Sequence, residues 1–465
     1  MGETLKKLHE ILFLGVFTLG ASSVFAASEN SSFRSMPLEK WMPLQESISL
    51  KNLFKNISPL GTSPGVVVAS PSQQNPDYWY HWVRDAALVM DLIVDQYLKS
   101  QNPELKARYL NAIWDYVNFS HLNQHTPTPS GGPGEPKFHV DGKAFVGPWG
   151  RPQNDGPALR ALTLIKFARA LISETKAEEA WRLFGIIKYD LEFVSHHWTE
   201  PCFDLWEEIK GQHFYTLIVQ YQSMISGAAY VSLVGDSGAA QWYLEQAKKM
   251  ENVLERHWDK RNSYILSTLN RVGGIDYKKS NLDASVILGV LHANTDSVFA
   301  VDDPRVESSL LRLKQTFKAL YSINQSGPEG VGIGRYPEDK YDGYSSSGEG
   351  NPWILITNGF AEYYYRLAKR YQERGIILVT PFNQSFFKDL GFNLSNGNLK
   401  KEDRVFKSLI ERLRAEGDQY FIRVKYHVDS DGQMSEQMNR WSGFLQGARD
   451  LTWSYASFLT ALSHR

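Results

Sequence analysis

The sequence predicts an all-α fold, a barrel in which a ring of inner helices is wrapped by a ring of outer helices. Two observations support this prediction. Segments that are apolar on nearly every side alternate along the chain with segments that are apolar on one side only. A helix that is apolar all round must be covered on every side, whereas a one-faced helix covers a neighbour from outside. The alternation therefore indicates two concentric rings, with roughly a dozen helices in all.

The inner helices are predicted where the pattern shows almost no polar side, as in 213–233. Such a helix is stable only when other helices surround it. No apolar run after residue 27 is long enough to cross a membrane. The six predicted inner segments are 82–98, 155–172, 213–233, 282–292, 352–368 and 450–462.

The outer helices are predicted where apolar residues recur at helical spacing along one stripe. In 103–118 the stripe extends from Leu105 to Val117, Asn102 supplies a cap, and Pro103 stands in the first turn. We also expect a small β-hairpin over 258–281. The five predicted outer segments are 103–118, 176–194, 239–257, 304–321 and 401–416.

The first 26 residues have the pattern of a secretory signal peptide. Lys6 and Lys7 precede an apolar run over 11–20, and small residues stand at the cleavage positions that end at Ala26. The run is shorter than the ~20 residues that span a bilayer. We expect cleavage after Ala26 and export to the extracellular medium, with the periplasm as the alternative. Residues 27–465 are expected to form one domain.

Charge and cysteine content exclude several classes of function. The 50 Lys and Arg residues balance 51 Asp and Glu residues, so no excess of positive charge favours a nucleic acid or an anionic membrane. Cys202 is the single cysteine, so no internal disulfide or cysteine-based zinc site can form. We expect it to be a small buried apolar residue. We expect a monomer without a cofactor; calcium stays open, although no EF-hand spacing is visible.

Five loops that contain charged and aromatic residues lead into the N-terminal ends of inner helices. Because all of them precede inner helices, we expect these loops to gather at one end of the barrel. A pocket is predicted where they meet. The loops are 76–85, 147–155, 202–211, 330–352 and 434–449.

Acidic residues in these loops stand among tryptophans, tyrosines and arginines. Taken singly, an Asp at a helix start is an ordinary cap and a Trp is ordinary core packing. Taken together at one rim, they describe a pocket of carboxylates, guanidinium groups and aromatic faces. Glycoside hydrolysis needs such a pocket, because two carboxyl groups perform the acid and base chemistry. The candidate carboxylates are Asp85, Asp155, Asp204, Glu207, Glu208, Glu338, Asp339 and Glu436.

Eight stretches of the sequence, in this order, match a known pattern: 63–71 (SPGVVVASP), 77–85 (DYWYHWVRD), 149–160 (WGRPQNDGPALR), 189–191 (YDL), 204–208 (DLWEE), 334–339 (GRYPED), 350–353 (GNPW) and 448–455 (ARDLTWSY). Together they resemble glycoside hydrolase family 15, the glucoamylase family, over nearly the whole chain after residue 27. The resemblance implies an (α/α)6 barrel of six inner and six outer helices. The helix alternation points to the same architecture independently.

The resemblance also implies roles for individual residues. Glu207 would be the general acid and Glu436 the general base, with Tyr78 beside the attacking water. The other implied residues bind sugar, the charged groups through hydroxyls and the aromatic groups through ring faces. No metal ligand is implied. The implied substrate-binding residues are Tyr78, Trp82, Arg84, Asp85, Trp149, Arg151, Leu205, Trp206, Glu208, Arg335 and Trp353.

The function implied by the resemblance is that of a secreted, exo-acting glucan 1,4-α-glucosidase. Such an enzyme releases β-D-glucose from non-reducing ends of starch, glycogen and malto-oligosaccharides by an inverting mechanism. The alternatives are a glucodextranase or trehalase acting on α-1,6 or α,α-1,1 linkages, and a non-catalytic sugar-binding barrel. Met438, where fungal members have an aromatic residue, and the long loop 340–350 leave subsite preference open. We expect no separate starch-binding domain.

Overall fold

The computed structural model describes residues 31–465, so the predicted signal peptide at 1–26 lies outside the described residues. Within residues 31–465, twelve helices form two rings, as the sequence predicts. The even-numbered helices are inner and the odd-numbered helices are outer. In chain order they are α1 (Leu38–Lys55), α2 (Val83–Lys99), α3 (Pro103–His125), α4 (Gly156–Ser173), α5 (Phe184–His197), α6 (Phe214–Leu233), α7 (Ser237–Leu254), α8 (Ser285–Ala293), α9 (Pro304–Leu320), α10 (Ile354–Arg374), α11 (Arg404–His427) and α12 (Thr452–His464).

The inner ring closes on itself. Each inner helix contacts the next one along the chain, from α2 through α4, α6, α8 and α10 to α12, and α12 contacts α2. Five outer helices each pack on the inner helix that precedes them, and α1 packs on α12. Every inner helix is therefore covered on both flanks and from outside, as its all-round apolar surface requires.

The outer helix α1 (Leu38–Lys55) was not among the predicted segments. Its buried side includes Trp41 and Leu53, but Gln45 and Ser49 lie on the same buried side. The Gln45 amide donates to Ser49 Oγ at 3.1 Å and to the Gly432 carbonyl at 2.9 Å. These hydrogen bonds give the Gln45 amide nitrogen and the Ser49 hydroxyl partners inside the protein. Because Gln45 and Ser49 interrupt the apolar stripe, periodicity alone could not identify this helix.

The strands are short and lie in the loops. Only part of the predicted hairpin over 258–281 forms. Trp258–Asp259 (β5) pairs with Tyr264–Ile265 (β6), while Thr268–Gly274 (β7) pairs with Ile209–His213 (β4) from a distant loop. The strands are β1 (His81–Trp82), β2 (Lys137–Phe138), β3 (Cys202–Phe203), β4 (Ile209–His213), β5 (Trp258–Asp259), β6 (Tyr264–Ile265), β7 (Thr268–Gly274), β8 (Ile376–Val379), β9 (Gly397–Lys400), β10 (Gln437–Met438) and β11 (Leu445–Gln446).

A buried ion pair connects the two rings. Arg160 on α4 and Asp190 on α5 form two parallel hydrogen bonds of 2.7 and 2.6 Å, and both side chains are almost fully buried. Such a pair fixes the relative position of two helices because neither charge can lose its partner cheaply. The predicted outer segment 176–194 is divided here into a short helix, Ala177–Trp181, and α5.

Cys202 is buried at the start of a hairpin, as expected. Burial raises the pKa of its thiol to about 12, so the thiolate that reacts with other groups is scarce at neutral pH. Among the described helices, none is long and apolar enough to cross a membrane.

Candidate active site

A pocket of about 540 Å³ opens at the end of the barrel where the five loops meet. Each of the five predicted loops contributes to its wall, so the expected gathering of the loops is confirmed. The residues that line the pocket are Ala69, Pro76, Asp77, Tyr78, Trp82, Arg84, Asp85, Trp149, Gly150, Leu205, Trp206, Glu207, Glu208, Arg335, Tyr341, Ser346, Trp353, Leu355, Glu436, Leu451 and Trp453.

The tip of the hairpin between β3 and β4 presents Glu207 and Glu208 to this pocket. Asp204 shapes the tip: its Oδ1 accepts hydrogen bonds from the main-chain N–H groups of Glu208 and Ile209 at 2.8 and 2.9 Å, and its carbonyl accepts one from Glu207 N–H at 2.9 Å. Glu207 has a φ of +66°. A non-glycine residue rarely adopts this conformation, and such strain is typical of functional positions.

The carboxyl group of Glu207 is held by two N–H donors. Trp82 Nε1 donates to Glu207 Oε1 at 2.7 Å, and Gln153 Nε2 donates to the same oxygen at 3.0 Å. Because both donors bind Oε1, Oε2 receives no hydrogen bond among the described residues and is the oxygen available to exchange a proton with a ligand. This arrangement suits a general acid.

Glu436 also lines the pocket, but unlike Glu207 it is fully buried. Its Oε1 accepts a hydrogen bond of 2.8 Å from Tyr78, and its Oε2 accepts a longer one of 3.3 Å from Tyr341. Burial raises the pKa of Glu436 to about 7, while the bond from Tyr78 and the positive charge of Arg335 oppose this rise. The donors stabilise the ionised form, which a general base needs.

The main chain fixes Glu436 as firmly as its side-chain partners do. Its N–H donates to the Ala448 carbonyl at 2.9 Å, and its carbonyl accepts from the N–H of Ile354, the first residue of α10, at 3.1 Å. Gly447 has a φ of +75°, and a Cβ there would collide with Glu436 Oε2. Only glycine therefore lets this segment pass so close to the carboxylate.

Tyr78 and Trp82 connect the two carboxyl groups. They belong to one loop, and their rings are 5.6 Å apart. Tyr78 bonds Glu436, and Trp82 bonds Glu207. The loop 76–85 therefore sets the position of one carboxyl group relative to the other.

A second group of charges lies at the start of α2. Arg84 Nη1 donates to Gln153 and Asp155 at 2.9 Å each, and its Nε lies 3.5 Å from Asp85 Oδ2. Burial raises the pKa of Asp85 to about 6, against the opposing charge of Arg84. Arg84 Nε and Asp85 Oδ2 are both buried without a hydrogen-bond partner among the described residues. Arg84 and Asp85 therefore form a buried ion pair in the wall of the pocket.

Arg335 organises the opposite wall. It donates to Asp339 from Nε at 2.8 Å and to Glu208 from Nη2 at 2.8 Å, and Tyr336 donates to the other oxygen of Glu208 at 2.5 Å. Its guanidinium lies 5.5 Å from the Trp206 ring centroid. Burial raises the pKa of Glu208, whereas Arg335 opposes that rise. This wall therefore presents a fixed arginine and carboxylate to a ligand.

The rim beside Glu207 is aromatic. Trp149 is 37% exposed, and its ring lies 6.2 Å from that of Trp82. Lys137 on β2 is buried among aromatic rings, with Nζ 3.2 Å from the Trp149 centroid and 4.7 Å from that of Trp82. Burial lowers the pKa of Lys137 to about 8. The cation holds Trp149 by a cation–π contact.

All of the substrate-binding residues implied by the resemblance line this pocket except Arg151. Four of the candidate carboxylates lie outside its lining: Asp155, Asp204, Glu338 and Asp339. The Arg151 guanidinium donates to Glu135 at 3.0 Å and to the carbonyls of Gly147 and Phe145 at 2.8 and 2.9 Å. Arg151 therefore braces the loop that carries Trp149, and its expected role in substrate binding stays a prediction. The planar guanidinium group, with its five N–H donors, can bind a ligand or brace a loop. The sequence could not distinguish these two roles.

Some lining residues were not among the sequence candidates. Tyr341 follows the matching stretch 334–339 by two residues, and Asp77 is the first residue of the matching stretch 77–85. Their closeness to these stretches could have identified both residues. Trp453, inside α12, resembles an ordinary core residue. Within residues 31–465, no group of three or more His, Cys, Asp or Glu residues is arranged to hold a metal ion.

Comparison with known families gives a match to the family described as glycosyl hydrolases family 15, over residues 47–463. Among curated relatives, a glucoamylase of Blastobotrys adeninivorans is 38% identical over 90% of this chain and 70% of its own length. Glucoamylase 1 of Rhizopus oryzae is 37% identical, with 91% and 70% covered. A probable glucoamylase of Schizosaccharomyces pombe is 35% identical, with 96% of each chain covered.

Solved structures agree with these relatives. The glucoamylase of Saccharomycopsis fibuligera superposes with a TM-score of 0.86 at 31% identity, over 93% of this chain and 96% of that one. A family 15 glucoamylase from Hypocrea jecorina gives a TM-score of 0.85 at 32% identity, over 92% and 72%.

The close passage of Gly447 beside Glu436 is testable by substitution. Gly447→Ala adds both the cost of an alanine at positive φ and a collision with the carboxylate. Gly61→Ala is the matched control, since Gly61 has a φ of +87° and no atom of the described residues lies within 4 Å of an added Cβ. We expect Gly61→Ala to lower the free energy of unfolding by about 1–2 kcal/mol and Gly447→Ala to lower it further, as measured by urea titration. Equal losses in the two variants would contradict the account.

Proposed function

Because this chain belongs to glycosyl hydrolases family 15, we propose that it removes glucose from the non-reducing ends of α-1,4-linked glucans, as a glucoamylase does. The observation that carries this proposal is the pair of carboxyl groups in one pocket. Among the described residues, no donor reaches one oxygen of Glu207, whereas donors reach both oxygens of Glu436. An enzyme that cleaves a glycosidic bond needs one protonated and one ionised carboxyl group.

In the proposed reaction, Glu207 protonates the glycosidic oxygen as the bond to the anomeric carbon breaks. Glu436 takes a proton from a water molecule, and that water attacks the anomeric carbon from the opposite face. Tyr78, which donates to Glu436, lies where it can also contact the water. The attack inverts the anomeric centre, so an α-linked substrate gives β-D-glucose.

The surrounding groups suit a terminal glucose unit. Arg84 and Asp85 both line the pocket, and they would bind hydroxyls of that unit. Arg335 would bind another hydroxyl, and Glu208 the next sugar. Trp149 offers an exposed ring face at the rim for stacking on the leaving side.

The names of the relatives favour α-1,4 glucans over the alternative linkages. Rates of glucose release from maltose, isomaltose and trehalose show which linkage the protein cleaves. Glucose release from soluble starch shows whether it acts on the polymer. We further propose that the protein is secreted, on the basis of the signal-like pattern of residues 1–26. One relative, that of Saccharomyces cerevisiae, bears the name of an intracellular glucoamylase.

The two carboxyl groups are tested by neutral replacements. Glu207→Gln removes the proton donor, and Glu436→Gln removes the base, with little change in size. We expect each variant to lose about 10²–10⁴-fold in kcat on maltose, because each group acts in the transition state. The change in KM should be smaller.

The matched control is Glu349→Gln, a replacement on the same rim loop as Tyr341, with a side chain 62% exposed. It should keep kcat within about twofold, as surface substitutions usually do. Full activity of either pocket variant, measured by glucose release, would contradict the assignment of that carboxyl group.

The hydrogen bond from Tyr78 predicts a change in pH dependence. This bond lowers the pKa of Glu436, whose burial acts in the opposite direction. A base must be ionised, so its pKa sets the acid limb of kcat/KM. Tyr78→Phe raises that pKa and should move the acid limb to higher pH by about one to two units, since a bond to a charged group contributes about 1.5–3 kcal/mol.

The control for this measurement is Tyr344→Phe, which alters an exposed tyrosine outside the pocket. Its pH profile should match that of the unaltered protein. An acid limb that stays in place or moves to lower pH in Tyr78→Phe would show that Tyr78 does not stabilise the ionised base.

A further inference from the structure

A second cavity, a groove of about 450 Å³, lies on the outer surface of the barrel. One wall is the glycine-rich segment 130–134, and the other is the exposed side of α5. The loop 147–155 separates this groove from the pocket. Trp149 and Gly150 of that loop line the pocket, while Pro152 and Asn154 line the groove.

The α5 wall of the groove presents aromatic rings at helical spacing. Tyr189 is 41% exposed and stacks on His125, with centroids 5.3 Å apart and an interplanar angle of 28°. Phe193, four residues later, stacks on His197 at 4.6 Å and 21°. Residues four apart lie on the same face of a helix. The two stacks therefore hold two rings in fixed orientations along one wall.

Hydrogen-bonding groups stand between and beyond these rings. Glu192 and Glu200 both line the groove, and their side chains are 40% and 55% exposed. Tyr243 donates to Glu192 Oε1 at 2.8 Å, which fixes that carboxylate. His197 Nδ1 lies 3.0 Å from Glu200 Oε1. Carboxylate and imidazole groups beside flat rings can bind the hydroxyls and the C–H face of one sugar at the same time.

The opposite wall brings main chain close to the rings. A Cβ at Gly132 would lie 3.7 Å from Phe193, and one at Gly134 would lie 2.6 Å from Asn154 Oδ1. Asn154 is 1% exposed, and its Oδ1 has no hydrogen-bond partner among the described residues. The glycines thus narrow the groove without filling it with side chains.

We propose that this groove is a second binding site for the α-glucan substrate. The proposal rests on the proposed function, because it takes the ligand to be the polymer on which the pocket acts. Exposed carboxylates at both rings disfavour a nucleic acid and an apolar helix as occupants. They suit a neutral, polyhydroxylated chain.

The position of the groove indicates its role. A glucan chain bound there lies on the far side of the loop that carries Trp149, close to the mouth of the pocket. Binding at two places on one polymer raises the local concentration of chain ends at the pocket. Maltose is too short to gain from this effect. The groove should therefore increase activity on long glucans and leave activity on maltose unchanged.

The experiment measures binding of β-cyclodextrin, a ring of α-1,4-linked glucose with no non-reducing end. Isothermal titration calorimetry compares the unaltered protein with Tyr189→Ala and with Glu200→Gln, a milder second variant. We expect the affinity of Tyr189→Ala to fall at least about fivefold, since one aromatic face is lost. The rate on soluble starch relative to maltose should fall as well, with kcat/KM for maltose unchanged.

The control is Trp181→Ala, which removes an exposed ring that stacks on Phe184 outside the groove. It should bind β-cyclodextrin as the unaltered protein does. An unaltered protein that hydrolyses maltose but does not bind β-cyclodextrin would overturn the groove site alone. Equal affinities of the unaltered protein and all variants for β-cyclodextrin would also overturn the groove site. A protein without activity on maltose or starch would overturn the proposed function instead.

Discussion

The structure depends on one constraint: six helices that are apolar on nearly every side must each be covered completely. The closed inner ring meets this constraint from the flanks, and the outer ring meets it from outside. The connections into the inner helices then lie at one end of the barrel. Charged side chains in those connections lie over an apolar ring, so they stay ionised only where partners compensate for lost water. Arg84 with Asp155, and Arg335 with Asp339, are such compensated pairs.

The two catalytic candidates differ because their surroundings differ. Glu207 sits on a strained hairpin tip, where two N–H donors share one oxygen and no donor among the described residues reaches the other. Glu436 is fully buried, and tyrosine hydroxyls donate to both of its oxygens. Tyr78 and Trp82 extend from one loop to both carboxyl groups. The proposed division into acid and base rests on this difference in hydrogen bonding, with the same residue type in both roles.

The fold was predictable from sequence because helix periodicity is a local property. The inner helices matched closely, whereas α1 was missed because Gln45 and Ser49 interrupt its apolar stripe. The pairing of β7 with β4 joins distant segments, so no local pattern could show it. The pocket was predictable because its loops precede inner helices. The aromatic surroundings of Lys137 and the bracing contacts of Arg151 depend on tertiary packing. Residue type alone could not assign them.

The central claim is that Glu436 activates water on the face opposite the bond that Glu207 protonates. Proton NMR of maltose hydrolysis tests it most directly, because the anomeric protons of α- and β-glucose give separate signals before mutarotation mixes them. Water delivered by Glu436 must yield β-glucose from the non-reducing unit in the first minutes. Early accumulation of α-glucose would mean a double displacement through a glycosyl–enzyme intermediate, and it would contradict the assignment of Glu436 as the base.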